Sequence, residues 1–350
     1  MAALTRIVQL MICLVCLGLP ITLLASESQF SAEDSKDSIT LPADHGSHSS
    51  STSEWWYYTG HLNGANHKAY GFELSFFRTL GQVFFVHMAV TDEATNKFVF
   101  SRQLISASNV SASPDRAQLR YGSVAALDQL SDTEFRAWAK FEDVTLDIVL
   151  KQQKAPLFVN GTGLIDMPAG GTSWYYSLTR LAATGTVAVG NETTDVTGQA
   201  WMDHQWGNFM VGSTGWDWFS IQMDDGNDYN LFSFRDANDH TTRQDVNILD
   251  PQANRARTAN DMHIERLSWW KSPHTGGNYV TKWRITLPER QETFVVEATM
   301  DDQEMYRRNF IDRAPEYWEG RCLVTRTDAN GTVVKGLGYS EHFPYQTQVP

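Results

Sequence analysis

The residues best placed to do chemistry lie in one ten-residue run, Gly198-Gln-Ala-Trp-Met-Asp-His-Gln-Trp-Gly207. Side chains alternate along extended backbone, so a strand here sends Trp201 and Asp203 to one face and Met202, His204 and Trp206 to the other. A carboxyl group held among indoles and shielded from water has its charged form disfavoured. Its pKa rises, and it becomes a proton donor usable near neutrality. Asp203 and His204 are therefore the candidate catalytic residues. Trp201 and Trp206 are candidate ligand contacts whose ring faces can stabilise a cation. In a regular strand Trp206 falls on the face away from Asp203, so its part would need a bulge or bend. The structural alternative is that Asp203 or His204 simply satisfies a buried neighbour in a barrel wall.

The elements around this run repeat. Val196-Thr-Gly198-Gln-Ala-Trp201-Met-Asp203-His204 has a counterpart in Val334-Lys-Gly336-Leu-Gly-Tyr339-Ser-Glu341-His342, at a constant offset of 138 residues. Trp56-Tyr57 and Trp218-Phe219 each lead to a glycine eight residues on. Leu74-Ser-Phe-Phe-Arg78 matches Leu231-Phe-Ser-Phe-Arg235 in character, and Arg78 and Arg235 read as structural ion-pair residues. Two related β-domains in tandem account for this, with the Asp203 strand closing the first. Trp206 has no equivalent in the second copy, where Phe343-Pro344 follows His342, and this favours Asp203 over Glu341 as the acid.

The 350 residues are 42% hydrophobic and 12% aromatic, enough for folded cores. A net charge of −13 argues against nucleic acid or an anionic membrane surface as partner. Residues 1–25 carry Arg6 and then an apolar run, the layout of a signal peptide or, if uncleaved, an N-terminal anchor. Either places the body outside the cytoplasm, secreted or periplasmic, with membrane proximity in the anchored case. Cys13 and Cys16 fall in this leader, leaving Cys322 without an internal disulfide partner.

Residues 26–52, rich in Ser, Asp and Glu with His45 and His48, read as a solvated polar linker. Residues 53–207 and 216–350 are the two expected domains, joined through the Gly207–Gly215 run. Asn63-Gly64 reads as a hairpin turn. Asp224-Asp-Gly-Asn-Asp228 reads as another turn, since it lacks the closing Glu of an EF-hand loop. Short β-runs separated by Gly and Pro fill both domains and helix is minor, which argues for meanders closing into barrels or sandwiches.

Glu54-Trp-Trp-Tyr-Tyr-Thr-Gly-His-Leu62, Phe72-Glu-Leu-Ser-Phe-Phe-Arg78, Trp201-Met-Asp-His-Gln-Trp-Gly207, Trp216-Asp-Trp-Phe-Ser-Ile-Gln222 and Tyr317-Trp-Glu-Gly320 with Gly338-Tyr-Ser-Glu341 span nearly the whole chain. Together they resemble the AttH/CrtC-type lipocalin-like family, in which carotenoid 1,2-hydratases are grouped with secreted proteins classed as hydrolases. The resemblance implies an all-β fold of two tandem lipocalin-like β-barrel domains related by internal duplication. It also implies action on a long polyene or polyketide ligand, with the acid of the aromatic-x-Asp-His motif, here Asp203, as proton donor.

Glu54, Trp56, Tyr58, His87 and Tyr176 complete the candidate ligand-contact set, and His87, His204 and Glu54 are the groups expected to set the protonation state of Asp203. No Gly-x-Ser-x-Gly elbow and no His-Glu-x-x-His pattern occurs, so a serine or metallo-hydrolase is not expected. No metal and no cofactor are expected. Three functions remain open: acid-assisted hydration or isomerisation of a hydrophobic isoprenoid, polyene or lipid-like ligand; non-catalytic carriage of such a ligand; and an accessory role in envelope transport.

Overall fold

The structure, a computed structural model, describes residues 38–65, 67–168, 170–209, 215–251, 256–259, 261–306 and 316–346. The expected leader 1–25, the start of the linker and the centre of the expected 208–215 connection lie outside the described residues. Among the described residues no helix is long and apolar enough to cross a membrane.

The chain is all-β and forms two sheets. The first holds β1 (Ser53–Gly64), β2 (Ala69–Thr79), β3 (Val83–Asp92), β4 (Lys97–Ile105), β5 (Val110–Ala112), β6 (Gln118–Tyr121), β7 (Ala125–Ser131), β8 (Glu134–Phe141), β9 (Val144–Gln152), β10 (Leu157–Phe158), β11 (Leu164–Asp166), β12 (Gly171–Val189) and β13 (Glu192–Phe209). The second holds β14 (Gly215–Met223), β15 (Asp228–Arg235), β16 (Thr241–Leu249), β17 (Ala256–Ala259), β18 (His263–Lys271), β19 (Asn278–Leu287), β20 (Glu292–Ala298), β21 (Glu304–Met305), β22 (Tyr317–Thr327) and β23 (Val333–His342).

Strand order carries the duplication. The first sheet runs β4-β3-β2-β1-β13-β12-β9-β8-β7 before ending in β6-β5, and the second runs β17-β16-β15-β14-β23-β22-β20-β19-β18. The repeated Val-x-Gly-x-small-aromatic-x-acid-His stretch occupies β13 in one and β23 in the other. Its glycine has a steric reason in both: a Cβ at Gly198 would sit 1.9 Å from the His61 carbonyl oxygen, and one at Gly336 2.6 Å from that of Gln222.

Each sheet curls around its own apolar core. Phe72, Phe76, Leu119, Ile148 and Met202 belong to the first core, and Phe219, Leu231, Trp283, Phe294 and Trp318 to the second. β8 and β9 alternate buried and more exposed positions, as one-sided barrel walls should. β1, β2, β14, β15 and residues 200–207 of β13 are buried on both faces. Their outer faces pack against the other sheet, where Tyr57, Trp201, Trp218 and Tyr339 form an aromatic cluster.

Several local expectations are corrected. Asn63 and Gly64 are not a turn but the end of β1, because β13 extends far enough to pair with both; the chain reverses over the residues that follow, with Gly64 N–H donating to the Lys68 carbonyl at 2.8 Å. The end of the polar stretch 26–52 is not solvated. Asp44 and His45 are buried, because the segment folds over the end of the first barrel and bonds to its wall: His45 Nδ1 lies 2.6 Å from the Tyr176 hydroxyl, and Trp56 Nε1 donates to the His45 carbonyl at 3.0 Å.

Against the expected short β-runs, β12 is a single 19-residue strand, with a bulge between Leu178 and Leu181. The 224–228 cluster is the expected turn, with Gly226 at φ +88°. Cys322 is buried and unpaired.

Candidate functional site

β13 lies between β1 and β12, and the register fixes the neighbours of each side chain. Asp203 stands opposite Tyr57 and Ser177; His204 stands opposite Trp56 and Tyr176. Strand alternation then sends Asp203 outward into the layer between the sheets and His204 inward to the first barrel.

In the outer layer the Asp203 carboxylate accepts from Ser177 Oγ at 2.5 Å, Tyr175 Oη at 2.6 Å and Trp201 Nε1 at 2.7 Å. The Tyr175 oxygen accepts in turn from Asn230 Nδ2 at 2.8 Å and Trp218 Nε1 at 3.2 Å, both on the second sheet. Burial lifts Asp203 to about 6, and the three donors hold it from rising further. Beside Trp201, a cavity of about 10 Å³ reaches Tyr339, His61 and Gln222, room for about one water.

The same layer holds three glutamates, Glu73 on β2 and Glu319 on β22, both buried, and Glu341 on β23, half-buried. Glu319 pairs in register with Glu341, and Tyr57 Oη donates to Glu319 at 2.5 Å. Burial, first, and the charges of neighbouring carboxylates push all three up: Glu73 and Glu341 to about 8, Glu319 well above the usual carboxylate range. Like charges confined in a dry layer retain protons near neutrality. Cationic and neutral groups surround them. Arg102 lies 5.3 Å over the Tyr317 ring, and His87 Nδ1 is 2.6 Å from the Tyr317 hydroxyl. Arg321 Nε donates to His61 Nδ1 at 2.7 Å, which leaves the His61 proton on Nε2 to donate to the Gly338 carbonyl at 2.8 Å.

On the inner face His204 Nε2 is 3.2 Å from Glu54 Oε1, and its Nδ1 is 3.2 Å from the Tyr176 hydroxyl. Glu54 is fully buried; Arg78 Nη2 donates to its Oε2 at 2.8 Å and His48 Nδ1 lies 2.9 Å from its Oε1. Burial opposes the Glu54 charge, but bonds with His204 and His48 hold the group well below the usual carboxylate range. Burial lowers His204 to about 4, so it is a neutral imidazole at physiological pH. Trp206 stacks on His48 at 3.9 Å and Trp56 on His204 at 4.6 Å.

The nine sequence-predicted site residues therefore divide between two faces. Glu54, Trp56, Tyr58, Tyr176, His204 and Trp206 share the inner face, whereas Asp203, Trp201 and His87 lie in the outer layer. Asp203 and His204 are back to back rather than a working pair. His204, Glu54 and His87 are not the hydrogen-bond partners of Asp203; Tyr175, Ser177 and Trp201 are. β13 runs without a bulge past Trp206, which keeps that ring away from Asp203.

Sequence reasoning missed Tyr175, Ser177 and Asn230, and the acids Glu73 and Glu319. Glu73 and Glu319 stand in motifs noted for other reasons, but alternation alone assigns them to an outward face and cannot reveal that a second sheet covers it.

Fold and site together define a double-barrel β-protein with an acidic, aromatic layer between its sheets. The chain belongs to the AttH-like family, which matches residues 32–345. An AttH-type protein from Nitrosomonas europaea is 26% identical, with 89% of this chain and 98% of that chain covered and a TM-score of 0.80. Kievitone hydratase from Nectria haematococca shares the fold at 16% identity, covering 91% and 97% with a TM-score of 0.73. CghA, solved with Sch210972, does so at 11% identity, covering 84% and 89% with a TM-score of 0.53. No curated protein sequence matches the chain.

Proposed function

We propose that this protein acts outside the cytoplasm on an apolar, alkene-bearing ligand of isoprenoid, polyene or lipid-like character, with Asp203 as acid in hydration or isomerisation. The observation that carries this is Asp203 itself, a buried carboxyl raised to about 6 and aligned by Tyr175, Ser177 and Trp201 among aromatic rings. In its protonated form it gives its proton to one carbon of a double bond. The cation left on the other carbon faces Trp201, Trp218 and Tyr57, whose π-faces stabilise it. Water then adds there and its released proton returns to Asp203, so the net change is addition of H2O. Loss of a neighbouring carbon-bound proton instead gives an isomer. The cavity beside Trp201 accommodates water and not an isoprenoid, so ligand entry requires the aromatic layer to open. The hydratase among the fold neighbours supports the reaction class, and the leader 1–25 supports the location.

A second reading, a non-catalytic carrier, is favoured by the same three donors, which already satisfy Asp203 as a buried structural acid. One experiment separates them. The protein is incubated with linear isoprenoids and unsaturated fatty acids, and products are followed by mass. A gain of one water that disappears in Asp203→Asn supports the enzyme. Tight binding without product, unchanged in Asp203→Asn, supports the carrier.

A further inference from the structure

The segment 38–52, which folds over the end of the first barrel, brings a histidine to a carboxylate and a second histidine already held there. We propose that His48 Nδ1, His204 Nε2 and Glu54 Oε1 form a site for a single divalent transition-metal cation of the zinc type. These three atoms lie within 4.8 Å of one another. The carboxylate oxygen is 2.9 Å from one nitrogen and 3.2 Å from the other, against roughly 3.4 Å between ligands around a tetrahedral zinc with bonds near 2.1 Å. Shifts of a few tenths of an ångström bring the two oxygen–nitrogen separations to that value.

The surroundings are those of a metal site rather than of an isolated ion pair. A ligating imidazole needs its other nitrogen held by a partner that fixes its tautomer. His48 Nε2 faces Asp44 Oδ1 at 3.3 Å, a carboxylate–histidine pair aimed at the common point. His204 Nδ1 faces the Tyr176 hydroxyl at 3.2 Å, and that hydroxyl is 2.6 Å from His45 Nδ1. With a metal on Nε2, the His204 proton resides on Nδ1 and donates to Tyr176, whose own proton passes to His45 as hydrogen-bond donor. Arg78 and Ser47 donate to the other Glu54 oxygen, while Oε1 accepts the His48 backbone N–H at 2.9 Å and keeps its second lone pair for the ion. Asp44, Glu54 and Arg78 together carry one net negative charge. Two imidazoles and one carboxylate select zinc-like ions over calcium or magnesium, which take oxygen ligands.

The test uses the full chain, freed of metal with a chelator and titrated with Zn²⁺ by calorimetry and with Co²⁺ by its visible absorption. The expected result is one equivalent bound and a Co²⁺ spectrum of nitrogen–oxygen coordination. His48→Gln should weaken Zn²⁺ binding at least 100-fold, an effect of the order expected for losing a ligand, and Asp44→Asn by about 10–100-fold through the His48 orientation. His240→Gln, at an exposed surface histidine, should leave binding unchanged. Circular dichroism confirms that each variant is folded. Absence of saturable binding, or binding that His48→Gln and Asp44→Asn leave intact, overturns the proposal.

Discussion

The two copies of the repeated strand treat the same three side chains differently. Trp201, Asp203 and His204 on β13 correspond to Tyr339, Glu341 and His342 on β23. The aromatic residue and the acid of both copies point into one shared layer, where Trp201 and Tyr339 belong to the same cluster and the charge of Asp203 helps raise Glu341. The histidines point the opposite way, each into its own barrel, and their surroundings diverge. His204 is bound to Glu54 and Tyr176. Among the described residues neither ring nitrogen of His342 has a hydrogen-bond partner; Trp283, Trp318, Tyr279 and Tyr345 enclose it.

Each barrel end is also closed by an arginine on the strand after the first. Arg78 holds the carbonyls of Ser49 and Ser51 together with Glu54, and Arg235 holds those of Trp216 and Phe343 while lying 3.7 Å over the Tyr345 ring. The arginine closure exists in both halves, but only the first adds the His48–Glu54–His204 group. Duplication has kept an arginine-closed barrel end in both halves, with Asp217 and Asp239 as the carboxylate partners of Arg235 in the second, and the histidine–glutamate group in the first.

The largest effect should separate the two acids. Asp203→Asn keeps shape but cannot donate a proton to carbon, so turnover should fall about 10²–10⁴-fold in kcat with KM little changed. Glu341→Gln should cost at least tenfold less, since Glu341 lacks the tyrosine–serine–tryptophan alignment. Equal losses in single-turnover kinetics would show that the copies act as one acid pair.

The second contrast is between the histidines. His204→Leu takes one buried hydrogen-bond partner from Glu54 and one from Tyr176 and should destabilise by about 1–3 kcal/mol in denaturant unfolding. His342→Leu replaces an unpartnered imidazole with an apolar side chain of similar size and should stay within about 1 kcal/mol of wild type, or exceed it. A large loss in His342→Leu would reveal a polar role in the second barrel.

Stability against pH should show both classes of group. Burial lowers His45 and His61 to about 3, His204 to about 4, and His87 and His342 well below the ordinary 6.5. Below pH 6.5 the unfolded chain takes protons that these imidazoles refuse, so their contribution is lost as pH falls. Glu73 and Glu341 titrate near 8 in the folded protein and near 4.5 when unfolded. Their contribution is present in acid and lost as pH rises to 8. The two trends oppose each other between about 4.5 and 6.5; above 6.5 the carboxyls act in the same direction as His48, whose pKa, against the effect of burial, is raised by its bonds with Asp44 and Glu54. Stability should therefore fall from pH 6.5 to 8, by about 1.4 kcal/mol per pH unit for each proton released. Glu73→Gln should flatten that slope, and an unchanged slope in thermal melts at these pH values would remove the carboxyl cluster from the account.

The smallest effect concerns Cys322, buried at the same depth in the second half with no partner. Its melting temperature should be the same with and without reductant, and a shift would point to a disulfide between chains.

Much of this was set by the sequence alone. The 138-residue offset, the alternation along 198–207 and the Gly–Pro punctuation define a duplicated all-β chain and single out Asp203, because strand period and internal repetition are local properties that survive without any fold. The upward pKa direction of Asp203 was expected from its aromatic neighbours, but its cause is burial in the layer between the sheets, which the bond from Trp201 on the same strand opposes. The tertiary structure alone decided what each face meets. Alternation separates Asp203 from His204 but cannot say that the outer face of β1, β2 and β13 is covered by a second sheet, which turns Glu73 and Glu319 from apparent surface acids into a buried cluster. It likewise could not show that a Ser-, Asp- and His-containing stretch, polar enough to read as solvated, is drawn in by Glu54, Arg78 and Tyr176. Both outcomes depend on long-range partners, and the free energy that buries a charged or polar side chain lies in those partners rather than in the side chain's own neighbours along the chain.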